Sequence, residues 1–393
     1  MARYFPLDEY HDRWRKVLRE MASRGFETAV VFSRGGGTMD NCGDVLYLTN
    51  HYAVSGGLDS LIWSARSFSG VILRAGREPQ LHMDEPVGRP DILATADVRN
   101  HRHPFAGVAK ELTAQGVKGK VALVGTQFIP VKYYRQLVEL APDIEWVEAD
   151  DLVRAVRMYK SPRELDCYRT AGESATASLN ILMEGLLGGK SEREAAGDAA
   201  REVVRRGGRI QVIGTNHGAT IGFNHRNPLT GYSADVPKQG DIVKGSIHAA
   251  FYQGYYLDPG RTSVVGRKPT PDQRRLIEAA SNIVQALSAM IRPGVSLLDV
   301  AAKGDLMTAD FGGDLSPSMK SFPFYGHGVG LAFELPRIST TMSLPTDVAA
   351  ENMVFGVEAL LSLGQVGAAF FEDIIIIGKD KNELLTTTPN YWW

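Results

Sequence analysis

Four segments in the C-terminal half each set one candidate metal ligand inside an apolar or Gly-rich stretch. They are Gly254-Tyr-Tyr-Leu-Asp258, Tyr325-Gly-His327-Gly-Val-Gly-Leu331, Asn352-Met-Val-Phe-Gly-Val-Glu358 and Ala369-Phe-Phe-Glu372-Asp373. Alone, Asp258 before Pro-Gly reads as a turn residue, and His327 as a hydrogen-bonding residue whose flanking glycines allow close backbone approach. Together they carry more, because a carboxylate inside an apolar strand is costly to bury without a metal, a cation or a proton. Three carboxylates and one imidazole suit Mn, Fe, Co or Zn rather than a thiolate metal. Such an ion polarises a carbonyl and lowers the pKa of its water, a route to amide hydrolysis without a covalent intermediate.

The elements that must position these groups follow from periodicity and caps. Ser161-Pro-Arg-Glu164 is a capping box that opens a long helix, with Leu165, Tyr168, Ala171, Ala175, Leu179 and Leu182 as its apolar stripe. Ser191 and Thr270 open two further helices in the same way. Strand-like runs lie between and after them at 209–213, 241–251, 262–265, 354–361 and 373–377, which predicts an α+β catalytic domain over residues 158–393. Residues 1–157 alternate helical stretches at 9–24 and 105–114 with short β-rich runs at 28–32, 45–48, 70–73, 121–124 and 144–147. That pattern predicts an α/β domain. Gly35-Gly36-Gly37 lacks the helix-opening pattern of a phosphate cradle and reads as a loop. At 393 residues two domains are expected.

Composition narrows the partners. Lys and Arg number 43 against 45 Asp and Glu, so nothing pulls the chain toward nucleic acid or an anionic membrane, and a small molecule is expected. The two cysteines, Cys42 and Cys167, are too isolated for a disulfide framework or a thiolate metal site. The opening residues carry no apolar signal segment and no run reaches the length of a membrane span, so a cytoplasmic protein is expected. The terminal Tyr391-Trp392-Trp393 is read as a packing element against a partner subunit or the N-terminal domain. Tyr252, Tyr255, Tyr256, Phe322, Phe324 and Tyr325 are either pocket lining or core.

In order along the chain stand Lys-Ser-Pro-x-Glu, His225, Gly-Asp with Gly-Tyr-Tyr-x-Asp-x-x-Arg-Thr, Gly-His-Gly-x-Gly-Leu, Met-Val-Phe-x-x-Glu and Glu-Asp. The series resembles the aminopeptidase P, prolidase, methionine aminopeptidase and creatinase superfamily, peptidase family M24. The Arg-rich opening helix and Asp44-Val-Leu-Tyr-Leu-Thr-Asn50 are similar to the creatinase-type N-terminal domain. The resemblance implies a creatinase-like α/β domain followed by an α+β "pita-bread" catalytic domain, a homodimer, and a small-molecule or dipeptide-like substrate. It also implies that Asp258, His327, Glu358 and Glu372 are four of the five metal ligands of the metallopeptidase members.

The fifth position departs from the pattern. No carboxylate lies between Asp241 and Asp258, and Ser246 or Ile247 stands where the family carries an Asp. Three outcomes stay open: one divalent ion with weak support from Ser246 or His248, an ion-free site as in creatinase, or an inactive descendant that only binds. His225, in Asn224-His-Arg-Asn-Pro228, matches the family's substrate-facing His and is the expected proton-exchanging group. Glu358 is a second catalytic candidate. Glu334 is a third, the nearest replacement for a second His of the peptidase members. Arg261, Tyr256, Ser246 and His248 are expected to contact substrate, Arg261 by orienting a site carboxylate. The expected function is hydrolysis of an amide or other C–N bond, with Xaa-Pro peptidase, metal-dependent lyase and binding module as alternatives.

Overall fold

The computed structural model describes residues 3–35, 43–52, 67–84, 89–218, 227–312, 314–315 and 324–393. The chain divides into two compact units, Met1–Met158 and Tyr159–Trp393.

The first unit is a mixed sheet with helices. Its strands are β1 (Thr28–Arg34), β2 (Phe68–Arg74), β3 (Gln80–Met83), β4 (Val98–Asn100), β5 (Gly119–Val124) and β6 (Ile144–Glu148), in the order β4-β3-β2-β1-β5-β6. Its helices are α1 (Leu7–Ser23), α2 (Gly43–Thr49), α3 (Pro104–Ala114), α4 (Val131–Leu140) and α5 (Arg154–Arg157). Val30, Phe32, Phe68, Ile72, Phe105, Leu123 and Leu137 share one buried cluster. One expectation is overturned: residues 45–48 are helix α2, not a strand. Val45, Leu46, Tyr47 and Leu48 are all buried, so the run is apolar on every side and has no period from which to tell helix from strand.

The second unit carries the candidate ligands. Its strands are β7 (Arg209–His217), β8 (Ile242–Tyr252), β9 (Tyr255–Leu257), β10 (Gly260–Val264), β11 (Asp314–Leu315), β12 (Gly326–Val329), β13 (Phe333–Arg337), β14 (Val354–Leu363), β15 (Gly367–Ile376) and β16 (Glu383–Leu384). The main path of the sheet runs β13-β12-β14-β15-β10-β8-β7, with antiparallel neighbours throughout. Helices α6 (Pro162–Leu187), α7 (Glu192–Arg205), α8 (Pro271–Met290) and α9 (Leu297–Phe311) complete it. Ser161, Ser191 and Thr270 form the three capping boxes read from the sequence. Helix α6 packs on β8, and α8 packs on β14 and β15.

Strand alternation then sorts the faces. A Cβ on Gly245 would strike Met183 and Leu182 of α6, so Gly245 faces the helix. Its neighbours Lys244 and Ser246, and with them His248, face the other way. The C-terminal aromatics pack within this unit: the Trp392 indole donates to Glu184 on α6, and Arg274 of α8 lies over the Trp393 ring.

Candidate metal centre

Register brings distant residues together. Glu358 on β14 and Glu372 on β15 are direct cross-strand partners. His327 on β12 pairs with Gly356, two residues before Glu358 on the same face of β14. Gly260 pairs with both Glu372 and Ser246, which sets Asp258, just ahead of β10, beside the same spot. The His327 Nε2 lies 3.3 Å from Asp258 Oδ2, 3.5 Å from Glu372 Oε1 and 3.8 Å from Glu358 Oε1. All four side chains are buried. Together with Lys244, Ser246, His248, Phe324, Phe333 and Phe370 they line a cavity of about 120 Å³.

The imidazole is aimed by its other nitrogen. His327 Nδ1 sits 3.0 Å from the Gly328 carbonyl, so Nδ1–H donates there and Nε2 is turned to the carboxylates. The Phe333 ring stacks on the imidazole with centroids 3.7 Å apart. His248 is held by its Nδ1 at 2.9 Å from the Tyr256 hydroxyl and stands 4.0 Å from Asp258 Oδ2.

Burial and mutual charge decide the protonation of the cluster. Burial raises Glu358, whose carboxyl is pushed up to about 7, with Asp258 adding to the rise while His327 and Lys244 oppose it. Glu372 is pushed well above the ordinary range by burial, then by Asp258 and Glu358. Burial disfavours charge on both Asp258 and His327, but their mutual attraction wins: Asp258 is lowered and His327 is raised well above its usual value. The cluster without an ion is thus short of positive charge.

That shortage fits a cation. Asp258, His327 and Glu372 each offer a ligand atom, all within 4.8 Å of one another. Asp258 Oδ1 and Glu372 Oε1 are buried without a hydrogen bond among the described residues, and a metal ion would satisfy both.

Three sequence expectations change place. Arg261 does not reach the cavity, because Gly260 faces it and the next residue along a strand faces away. Its buried guanidinium donates to Asp373 and to the carbonyls of Gly260, Glu372, Thr388 and Pro389. Glu334 also lies off the cavity: it accepts the Leu331 N–H and approaches Lys160 at 3.9 Å, while its neighbour Phe333 takes the wall. Tyr256 acts on the cavity through His248 rather than lining it. Ser246 and His248 do line the cavity. His225 and Phe322 lie outside the described residues. Of the remaining aromatics, Phe324 lines the cavity, whereas Tyr255 and Tyr325 are core residues bonded to Glu164 and Asp305.

Lys244, Phe333 and Phe370 were not singled out from sequence. The signal was present for Lys244, a lysine in an apolar strand at even spacing from Ser246 and His248.

A nest of carboxylate and imidazole donors on one face of an antiparallel sheet, roofed by aromatics, is a donor set that could hold a divalent ion for hydrolytic chemistry. The chain belongs to metallopeptidase family M24: the profile of that family matches residues 166–379, and that of the creatinase/prolidase N-terminal domain matches residues 13–159. It is 28% identical to an Xaa-Pro dipeptidase from Pyrococcus horikoshii over 66% of this chain and 71% of the relative. It is 29% identical to a probable dipeptidase PepE from Mycobacterium bovis over 69% of each chain. The crystal structure of the prolidase from Pyrococcus horikoshii superposes with a TM-score of 0.75, covering 96% of this chain and 99% of that one at 21% identity. The catalytic unit therefore has the pita-bread fold.

Proposed function

We propose that this chain hydrolyses an amide or related C–N bond of a small, polar, dipeptide-like substrate, with one divalent ion held by Asp258, His327, Glu358 and Glu372. An Xaa-Pro dipeptide is the first substrate class to test. The observation that carries the reading is the convergence of these four buried groups with two carboxylate oxygens unbonded among the described residues. The dipeptidase names of two relatives support the substrate class.

Any of Mn, Fe, Co or Zn suits this donor set, and the bound ion supplies polarisation of the scissile carbonyl and an acidified water. Glu358 is assigned a second role, accepting a proton at its carboxylate. His248, braced by Tyr256, faces the substrate. Phe324, Phe333 and Phe370 exclude bulk water and limit substrate size. His225 is assigned the proton exchange at the scissile nitrogen or carbonyl, on the resemblance alone. The reading divides labour between a creatinase-like domain, 1–157, and a catalytic domain, 158–393, in a cytoplasmic homodimer without nucleic-acid or membrane partners. Among the described residues no helix is long and apolar enough to cross a membrane.

A second reading, ion-free chemistry of the creatinase kind, is favoured by one observation: Lys244 already brings a cation into the cavity. Metal content of protein purified without chelator, with turnover of an Xaa-Pro dipeptide and of creatine-like amidines, separates the two. The expected result is one ion per chain, proline release abolished by chelation, and Glu358→Ala slower by about 10²–10⁴-fold. Full activity in an ion-free protein overturns the metal-dependent reading.

A further inference from the structure

Lys244 is 2% exposed, yet its strand face turns it into the cavity with Ser246 and His248. Its ammonium lies 5.4 Å from the centre of the Phe370 ring, and Phe370 stands two residues before Glu372 on the same face of β15. A buried lysine keeps its charge only where negative groups offset the lost hydration. Here the groups that face it are the carboxylates of the cluster. Burial lowers the lysine's pKa, and Glu358 works against that fall.

Counting the described walls gives the charge the cavity accepts. Among the described lining residues, three carboxylates, Asp258, Glu358 and Glu372, face two imidazoles, His248 and His327, and one ammonium, that of Lys244. Arg337 also acts on Glu358, but it lies over the Phe324 and Phe333 rings and is only half-buried, so solvent screens it. With both imidazoles neutral, one divalent ion leaves the enclosed cluster uncharged. A second would leave a net double positive charge in a low-dielectric cavity, which is costly.

Resting on the metal-dependent reading above, we propose that Lys244 is a built-in cation that takes the place of a second metal ion and holds this centre to one. Ser246 marks where a further ion would need its ligand. It lies across Gly260 from Glu372, so a carboxylate there would face Asp258 and Glu372. The hydroxyl present donates, at 3.4 Å, to the Gly214 carbonyl instead.

The test is Mn²⁺ stoichiometry of the full chain by calorimetric titration, with electron paramagnetic resonance reading magnetic coupling between paired ions. Wild type and Ser246→Asp are each expected to bind one ion, and the double variant Lys244→Met/Ser246→Asp to bind two that are coupled. Lys244→Met alone, which needs no new ligand and tests the same repulsion if the double variant fails to fold, is expected to bind its one ion on the order of tenfold tighter. Two ions in wild type or in Ser246→Asp overturns the proposal, as does one ion in a folded double variant or an unchanged affinity in Lys244→Met. No ion in wild type defeats the metal-dependent reading and this inference with it, whereas one in wild type and two in Ser246→Asp defeats only the role of Lys244.

Discussion

Gly356 faces His327 across the β12–β14 ladder, and its missing side chain makes room for the cluster. A Cβ built there would come within 2.6 Å of Glu372 Oε1 and 3.3 Å of His327 Cε1. In an exposed strand, Gly→Ala stabilises by lowering chain entropy. Gly356→Ala is expected to act in the opposite sense on the site. It pushes the Glu372 carboxylate and the imidazole apart and weakens Mn²⁺ binding by at least about tenfold, with the far-ultraviolet circular dichroism unchanged. Calorimetric titration checks it, and wild-type affinity in the variant would show that the ligands sit elsewhere. Single residues also explain the misplacements. Glu334 and Phe333 are adjacent, so one step along β13 decides which of them reaches the cavity, and resemblance to a family pattern in which a His stands nearby does not settle that step.

At the scale of elements, most of the site was legible because His327, Glu358 and Glu372 sit in strands and Asp258 lies between two of them, and strands are strongly marked by apolar runs. The three capping boxes fixed the starts of α6, α7 and α8 from local chemistry alone. Pairing was not legible: that Glu358 lies opposite Glu372, or His327 opposite Gly356, is a property of register between segments far apart in sequence. Residues 45–48 failed for the opposite reason, a local run too short and too uniformly buried to carry a period. Arg261 shows what alternation adds once a strand is placed. Its face is set by Gly260, and from there it binds the carbonyls of Glu372, Thr388 and Pro389 and the carboxylate of Asp373, tying β10, β15 and the C-terminal segment together. Arg261→Met leaves the buried Asp373 carboxylate without its guanidinium, with the Thr386 hydroxyl still donating to it, and is expected to cost about 3–5 kcal/mol of stability. Urea unfolding measures that loss. KM of the folded enzyme should stay at the wild-type value, and a raised KM at unchanged stability would restore Arg261 to the substrate.

Across the whole molecule, acid should loosen the first unit through two of its own buried histidines. His51 is buried, with Nε2 at 2.9 Å from the Ser69 hydroxyl, and burial lowers its pKa to about 4. His82 lies between Gln80 and His101, and burial followed by the repulsion of His101 lowers it to about 3. Both are therefore neutral when folded and ordinary when unfolded. As pH falls below about 6.5 the unfolded chain takes up protons that the folded unit refuses, so stability is full above that value and declines until the folded pKa is reached. Each group costs about 1.4 kcal/mol per pH unit within the window. Between about pH 6.5 and pH 5 the pair removes roughly 4 kcal/mol. Urea midpoints followed by proteolytic release of first-unit fragments should fall accordingly, and His51→Asn/His82→Gln should flatten the decline between those two pH values. A double variant with the wild-type slope would assign the acid sensitivity to carboxylates instead.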